Sequence, residues 1–173
     1  SDVNISGANA QVDDVVIISG TLGDHGIAVM SAREGLNFET DLRSDVAPLN
    51  HLIAAMMNAG EIHVLRDPTR GGLATTLNEI ASQSNLTIEL QETALPVKPQ
   101  VHAACEMLGF DPLYVANEGK LVAFVKPEDA ERILSVMHQT RYGEEAVIIG
   151  RVIRTNHPHV RLRTAIGGTR LID

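Results

Sequence analysis

Segments with the pattern of strands alternate along this chain with segments spaced like helices, and this alternation restricts the fold more than any other feature. The run Val15–Ser19 is short, continuous and β-branched, which is typical of a strand buried on both faces. Apolar residues recur at helical spacing from Pro48 to Ala59, and Gly60 follows as a stop. Near the end, Val147–Ile153 and Val160–Arg163 predict a closing hairpin. Because a hairpin interrupts the alternation, we expect one α/β domain, of the α+β kind, in which helices cover a mixed sheet.

The other predicted elements follow the same two periodicities. Helices are predicted over 27–34, 73–84 and 99–108 and from 127 onward, and strands over 62–65, 86–90, 113–116 and 120–125. Residues 36–47 are polar and predict a loop. Asn117-Glu118-Gly119 is most simply the turn of a hairpin, and a functional carboxylate at Glu118 is the alternative.

Composition excludes several classes of protein. The 173 residues, of which 44% are hydrophobic, suffice for one substantial core, and only 3% are aromatic, so that core must be aliphatic. A net charge of −8 argues against binding to nucleic acid or to an anionic membrane surface. No run of 18 apolar residues occurs, so we expect no membrane span. The single cysteine agrees with a reducing compartment, and we expect a cytoplasmic protein.

Two adjacent glycines begin a predicted helix at the end of the motif Arg66-Asp67-Pro68-Thr69-Arg70-Gly71-Gly72. Each glycine disfavours a helix by about 1 kcal/mol relative to alanine. A chain that keeps both needs a close backbone approach, or φ values that glycine adopts without strain. Bare N–H groups at a helix start, beside arginines, suit an anion. A salt-bridged turn that involves Asp67 is the alternative.

A second glycine-rich turn, Gly20-Thr21-Leu22-Gly23-Asp24-His25-Gly26, lies between the predicted strand at 15–19 and the helix that follows. Turns of this kind cradle phosphates at helix N-termini. The turn lacks the Lys-Ser or Lys-Thr pair of a Walker A loop and the spacing of a dinucleotide fingerprint. A tight structural turn in which Asp24 caps the helix explains it equally well.

The remaining reactive side chains point to no local catalytic pair. Cys105 lies on the apolar face of a predicted helix and is expected to behave as a small hydrophobe. His157 and His159 alternate along a strand edge without a third ligand at useful spacing, so no metal site is predicted. Spacing alone therefore predicts an anion-binding domain of unknown activity.

The same motifs together resemble the C-terminal half of the hydrogenase maturation factor HypE family. The resemblance rests on Ser19–Ala28, on Leu65–Leu73, on Ala104–Gly119 and on Ile166–Arg170, in this order and over nearly the whole chain. The family belongs to the superfamily of aminoimidazole ribonucleotide synthetase, selenophosphate synthetase and thiamine-monophosphate kinase. The resemblance implies a C-terminal domain like that of aminoimidazole ribonucleotide synthetase, partly ferredoxin-like, behind an N-terminal ATP-binding and dimerising domain.

The resemblance also implies a reaction and partners. In the family, a cysteine at the C-terminus receives a carbamoyl group from the carbamoyltransferase HypF, and ATP-dependent dehydration converts this group to a thiocyanate. The cyano group then reaches the iron of a nickel–iron hydrogenase through the HypC–HypD scaffold complex. ATP and Mg²⁺ are implied for the full-length homodimer. The residues that the resemblance implies for the phosphate or nucleotide cleft are Asp24, His25, Gly26, Asp67, Thr69, Arg70, Gly71, Gly72, Asn117 and Glu118.

The chain departs from the family pattern in two respects. It lacks the N-terminal ATP-binding half, and it ends at Asp173, before the family's Pro-Arg-Ile-Cys tail; Cys105 is not the cysteine of that tail. We therefore expect residues 1–173 to form a single C-terminal domain of a longer protein, without a catalytic residue and inactive alone. Neither tight nucleotide binding nor the dimer is expected here. A non-catalytic docking module, or a domain of another ATP-using member of the superfamily, is the alternative.

Overall fold

The computed structural model describes residues 6–33 and 48–173, and the loop predicted at 36–47 lies outside them. The strands are β1 (Val15–Ile18), β2 (Ile62–Arg66), β3 (Thr87–Gln91), β4 (Val122–Val125), β5 (Val147–Ile153), β6 (Val160–Arg163) and β7 (Thr169–Ile172). The helices are α1 (Asp24–Arg33), α2 (Asn50–Ala59), α3 (Gly72–Ser84), α4 (Pro99–Leu108) and α5 (Ala130–His138). Short 3₁₀ turns occupy Gly7–Asn9, Glu92–Ala94, Pro112–Tyr114 and Pro127–Asp129.

The seven strands form one mixed sheet in the order β2-β4-β1-β5-β3-β6-β7. Every neighbouring pair is antiparallel except β3 and β6, which run parallel. The short, apolar β1 lies between β4 and β5 near the centre, as its continuous β-branched sequence predicts. The predicted α+β class, with a mixed sheet, is confirmed.

Helices cover both faces of the sheet because successive strand residues point to opposite sides. Val16 and Ile18 of β1 belong to the core on the α3 side, whereas Ile17 belongs to the core beneath α2 and α5. A smaller third core joins α1 to α4 and contains Ile27 and Cys105. This third core packs α1 against α4.

The predicted closing hairpin is wrong. Strand β5 pairs with β1 on one side and with β3 on the other, so no edge of it is open to β6. The chain crosses from β5 to the far side of β3, where β6 pairs in parallel. The hairpin that ends the described chain joins β6 to β7, and its turn contains Gly167 with φ +90°. A local turn signal therefore marks a chain reversal without showing which strands pair.

The predicted strand at 113–116 is also wrong, and with it the interpretation of Asn117–Gly119 as the turn of a hairpin. Asp111 accepts a hydrogen bond from the Leu113 backbone N–H (2.9 Å) and begins the 3₁₀ turn at Pro112–Tyr114. Leu113 and Val115 are buried against helices instead of pairing in the sheet. Their apolar character, which resembles a strand signal in the sequence, reflects this helix packing.

Candidate functional site

Asn117 brings three distant segments together. Its side chain is buried, and its Oδ1 accepts a hydrogen bond from the backbone N–H of Gly23 (2.8 Å). Its Nδ2 donates to the carbonyls of Pro68 (3.2 Å) and Val115 (3.3 Å). One amide thus links the glycine-rich turn before α1 to the Pro68 segment before α3. The motifs that the sequence singled out are neighbours in space.

The glycine-rich turn is held closely against the segment that ends at Asn117. Gly23 has φ +84°, a left-handed conformation that favours glycine. The Gly26 backbone N–H donates to the carbonyl of Ala116 (3.2 Å), and a Cβ on Gly26 would lie only 3.0 Å from that oxygen. The N-terminus of α1 therefore packs directly on the 115–117 backbone.

The glycine pair that begins α3 has both properties expected of it. Gly71 and Gly72 have φ +76° and +70°, which residues with a side chain rarely adopt. A Cβ on Gly72 would lie 2.6 Å from the Leu113 carbonyl oxygen and 2.7 Å from that of Val115. The close approach is to the protein's own backbone, so packing alone explains why Gly72 is required. The same approach places the N-terminus of α3 beside that of α1.

Asp24, the first residue of α1, makes contacts that the sequence does not reveal. Its side chain is 2% exposed. Its Oδ2 accepts a hydrogen bond from the Thr21 hydroxyl (2.7 Å) and lies 2.9 Å from the ammonium of Lys98. Its Oδ1 is buried without a hydrogen-bond partner. Lys98 precedes α4, and no motif or local spacing in the sequence indicates that it reaches the glycine-rich turn.

The other predicted site residues are chain neighbours of the residues that Asn117 and Asp24 bring together. Asp67 and Arg70 are exposed, whereas Thr69, which lies between them, is half-buried. The Thr69 carbonyl accepts a hydrogen bond from the backbone N–H of Gly72 (3.2 Å). Arg66, expected beside a bound anion, pairs with Glu79 of α3 (2.7 Å).

His25 and Glu118 are half-buried and follow Asp24 and Asn117 directly in the chain. His25 and Gly26 also line a largely apolar cavity of ≈ 320 Å³ between α1 and the 110–116 segment. The structure thus places the predicted residues around one region, where their contact with a nucleotide stays a prediction.

A second polar cluster lies away from this region, at the start of β2. His63 is buried between two carboxylates, with Nδ1 2.8 Å from Asp14 and Nε2 2.6 Å from Glu61. Burial lowers the pKa of His63, but the hydrogen bonds to Glu61 and Asp14 outweigh it and raise that pKa above its ordinary value of 6.5. Burial also raises the pKa of Asp14. The cluster ties the segment before β1 to the edge strand β2.

Cys105 is buried in the α1–α4 core, as its apolar neighbours in sequence predict. Burial, with a smaller contribution from the charge of Asp111, raises the pKa of its thiol to about 11. In the described residues, no helix combines the length and apolar composition that crossing a bilayer requires.

Comparison with known proteins shows the family to which this chain belongs. The family of AIR synthase related proteins, C-terminal domain, matches residues 11–163, and the chain belongs to this family. The carbamoyl dehydratase HypE of Bradyrhizobium diazoefficiens is 54% identical over 173 residues, which cover 99% of this chain and 50% of that protein. The resemblance to HypE that the motifs indicated is thereby confirmed.

Solved structures agree with this class. A chain in the crystal structure of a HypE–HypF complex is 50% identical and superposes with a TM-score of 0.92, covering 97% of this chain and 55% of that one. A HypE structure in complex with ATP is 47% identical with a TM-score of 0.93, covering 97% and 52% respectively. The chain therefore spans about half the length of the relatives it matches.

Proposed function

We propose that this chain is the C-terminal domain of an ATP-dependent carbamoyl dehydratase that acts in the maturation of nickel–iron hydrogenase. The observation that carries the proposal is the 54% identity, over nearly the whole chain, to a protein named carbamoyl dehydratase HypE. The site geometry supports it, because Asn117 joins the two glycine-containing helix starts into one region suited to phosphate.

The proposed reaction converts a carbamoylated C-terminal cysteine into a thiocyanate, which supplies the cyanide ligands of the hydrogenase iron. The carbamoyl oxygen is a poor leaving group until ATP phosphorylates it. It then departs in the phosphate while the nitrogen loses its two protons. The carbamoyl group thereby loses the elements of one water, and ATP becomes ADP. Negative charge grows on the departing phosphate, and helix N-termini or an arginine nearby stabilise it.

The chain's part in this chemistry is to form one wall of the nucleotide cleft. The N-termini of α1 and α3 would face the phosphates, and Arg70, whose side chain is exposed, would add a guanidinium suited to them. His25, Asp67, Thr69 and Glu118 complete the proposed lining. No catalytic cysteine is assigned within the chain, and we expect the 173 residues alone to be inactive and to bind nucleotide weakly.

Mg²⁺ would accompany the nucleotide, and one group in the chain fits it. Mg²⁺ in nucleotide sites is commonly held by one or two carboxylates together with the phosphates. The Oδ1 of Asp24 is a buried carboxylate oxygen with its acceptor capacity unused. Among the residues that the structure describes, Asp24 is therefore the one that would hold the ion, which would neutralise phosphate charge when bound.

The proposed partners follow from the same relatives. A solved HypE–HypF complex supports HypF as the carbamoyltransferase partner, and we extend the proposal to the HypC–HypD scaffold complex. We propose that the full-length protein is a cytoplasmic homodimer that dimerises through its N-terminal half.

A chimera tests the proposed function. The segment of Bradyrhizobium diazoefficiens HypE that matches this chain is replaced by residues 1–173, and ATP-dependent conversion of a carbamoylated tail to thiocyanate is followed by mass spectrometry. We expect activity in the chimera, a strong loss in its Arg70→Ala form, and little change in Arg163→Ala, where another exposed arginine is removed from β6. A correctly folded chimera that hydrolyses ATP without forming thiocyanate would contradict the assigned reaction.

The solved HypE–HypF complex favours one second candidate, a docking module without catalytic groups of its own. Capture of purified HypF by the isolated chain, combined with undiminished dehydration in the Arg70→Ala chimera, would favour that candidate over the cleft wall.

A further inference from the structure

Lys98 lies beside the proposed nucleotide cleft although no sequence motif contains it. It occupies the position just before α4, where its extended backbone (φ −62°, ψ 146°) and the following Pro99 fix the direction of the helix start. From there its ammonium reaches Asp24 Oδ2 at 2.9 Å. The pair therefore joins the N-terminus of α4 to that of α1.

The two members of this pair differ in burial. The Asp24 side chain is 2% exposed, whereas that of Lys98 is 35% exposed. Oδ2 of Asp24 has two donors, Thr21 and Lys98, while Oδ1 has none. A buried carboxylate oxygen without a partner is rare in folded proteins, and its retention calls for an explanation. Oδ1 therefore keeps the capacity to accept one more cationic or hydrogen-bonding group.

We propose that Lys98 is an internal counterion that pairs with Asp24 in the absence of a divalent cation. When such a cation binds through Oδ1, the Lys98 ammonium leaves Asp24. This inference rests on the proposed function, because the cation would arrive with the nucleotide phosphates. Lys98 then turns its ammonium away from Asp24, toward the phosphates or solvent. It acts as a positioning residue that holds the buried Asp24 carboxylate in place for the ion.

Charge and chemistry explain why the two cations exclude each other. A lysine ammonium and a divalent ion on one buried carboxylate repel strongly at a separation of a few ångströms. The long, partly exposed lysine stem can move, whereas Asp24 is fixed by Thr21 and by the helix. In the part of the chain that the structure describes, no three His, Cys, Asp or Glu side chains form a cation cage. An ion at Asp24 would therefore need phosphate oxygens or water as its remaining ligands, as Mg²⁺ commonly does.

The test uses Mn²⁺ as the probe and the ¹⁵N-labelled 173-residue chain without nucleotide. Paramagnetic broadening of amide signals locates the bound ion, and its concentration dependence gives a dissociation constant. We expect broadening centred on Gly23, Asp24 and His25. Lys98→Met keeps the apolar stem and removes the charge, so it should tighten Mn²⁺ binding about tenfold. Lys98→Arg should restore affinity to near the native value, and Asp24→Asn should abolish the broadening.

The pair of Arg132 on α5 with Asp129, in the 3₁₀ turn just before it (2.7 Å), provides a matched control, because Arg132→Met removes a cation from a carboxylate elsewhere. This variant should leave the affinity unchanged. Equal affinities of native and Lys98→Met protein, or broadening centred on another acidic segment, would overturn the inference even if Asp24→Asn failed to fold. Since no arm contains nucleotide, a failure of the chimera to use ATP would count against the proposed function and leave this exchange standing.

Discussion

Replacement of Asn117 by alanine should destabilise the protein more than any other loss of a single polar side chain in the site. The substitution removes the acceptor for the Gly23 N–H (2.8 Å) and the donor for the Pro68 carbonyl (3.2 Å). Asn117 is 2% exposed, so water cannot readily reach either orphaned group. Both helix starts, of α1 and of α3, lose their common anchor.

The expected magnitude follows from these two groups. An unsatisfied buried donor or acceptor costs about 1–3 kcal/mol. Two such groups, partly relieved by relaxation, give a loss of about 3 kcal/mol in the free energy of unfolding. The longer contact to the neighbouring Val115 carbonyl (3.3 Å) adds little. With a urea m-value of about 2 kcal/mol/M, the unfolding midpoint should fall by roughly 1.5 M.

Urea titrations of Asn117→Ala and Asn78→Ala, followed by circular dichroism, measure this difference. Asn78 donates to the Ala74 carbonyl in its own helix and to that of Ile172, and it is only partly buried. Asn78→Ala should lower the free energy of unfolding by about 1 kcal/mol, because water can hydrate the two carbonyls that lose their donor. If Asn117→Ala cost no more than Asn78→Ala, the amide would not be the anchor of this site.

Gly72, His63 and Cys105 each give a further test. Gly72→Ala should lower the free energy of unfolding by about 3 kcal/mol or more, because a Cβ there meets both a positive φ and overlap with backbone atoms. Gly109→Ala, at φ +74° in open space, should lower it by only about 1 kcal/mol. Equal decreases in melting temperature for the two variants would contradict this. Since the folded-state pKa of His63 is raised, the stability advantage of native protein over His63→Gln should be full below about pH 6.5 and decline as pH rises through the folded pKa. An advantage that grew with pH in urea titrations would be inconsistent with the clamp that Asp14 and Glu61 form around His63. The Cys105 thiol, with its pKa raised to about 11, should react with a thiol reagent slowly in the folded chain and rapidly in urea, and equal rates would show that it is accessible.

The parts of the fold that can be predicted well from sequence are those decided by local periodicity. Val15–Ser19, Pro48–Ala59 and Pro99–Leu108 each form elements close to the predicted bounds, because burial of one stripe or both faces dictates their composition. The hairpin predicted at 147–163 is wrong for a different reason. β5 pairs with β1 and β3, which are far away in the chain. The residues between β5 and β6 do not show whether they form a hairpin turn or a crossover to another strand.

In the candidate site too, some residues can be identified from local sequence and others only from the fold. Gly72 can be identified from sequence because its helix-breaking cost has no local compensation, and the structure gives it the positive φ and the close backbone approach that this cost implies. The sequence around Asn117 is typical of a turn. Nothing in it indicates that the Asn117 amide reaches both Gly23 and Pro68. Lys98 carries no sequence signal at all, because an isolated lysine before a proline has many uses and only the fold brings it to Asp24.

If three separate motifs form one phosphate-binding region, a single ligand should affect all of them at once. A titration of the ¹⁵N-labelled chain with Mg²⁺–tripolyphosphate, monitored by amide chemical shifts, measures this. Signals of Gly23–Gly26, Thr69–Gly72 and Asn117–Glu118 should move together with a single, weak dissociation constant, and Arg70→Ala should weaken the binding. Shifts confined to one of these segments, or centred on residues outside all three, would contradict a shared phosphate-binding region.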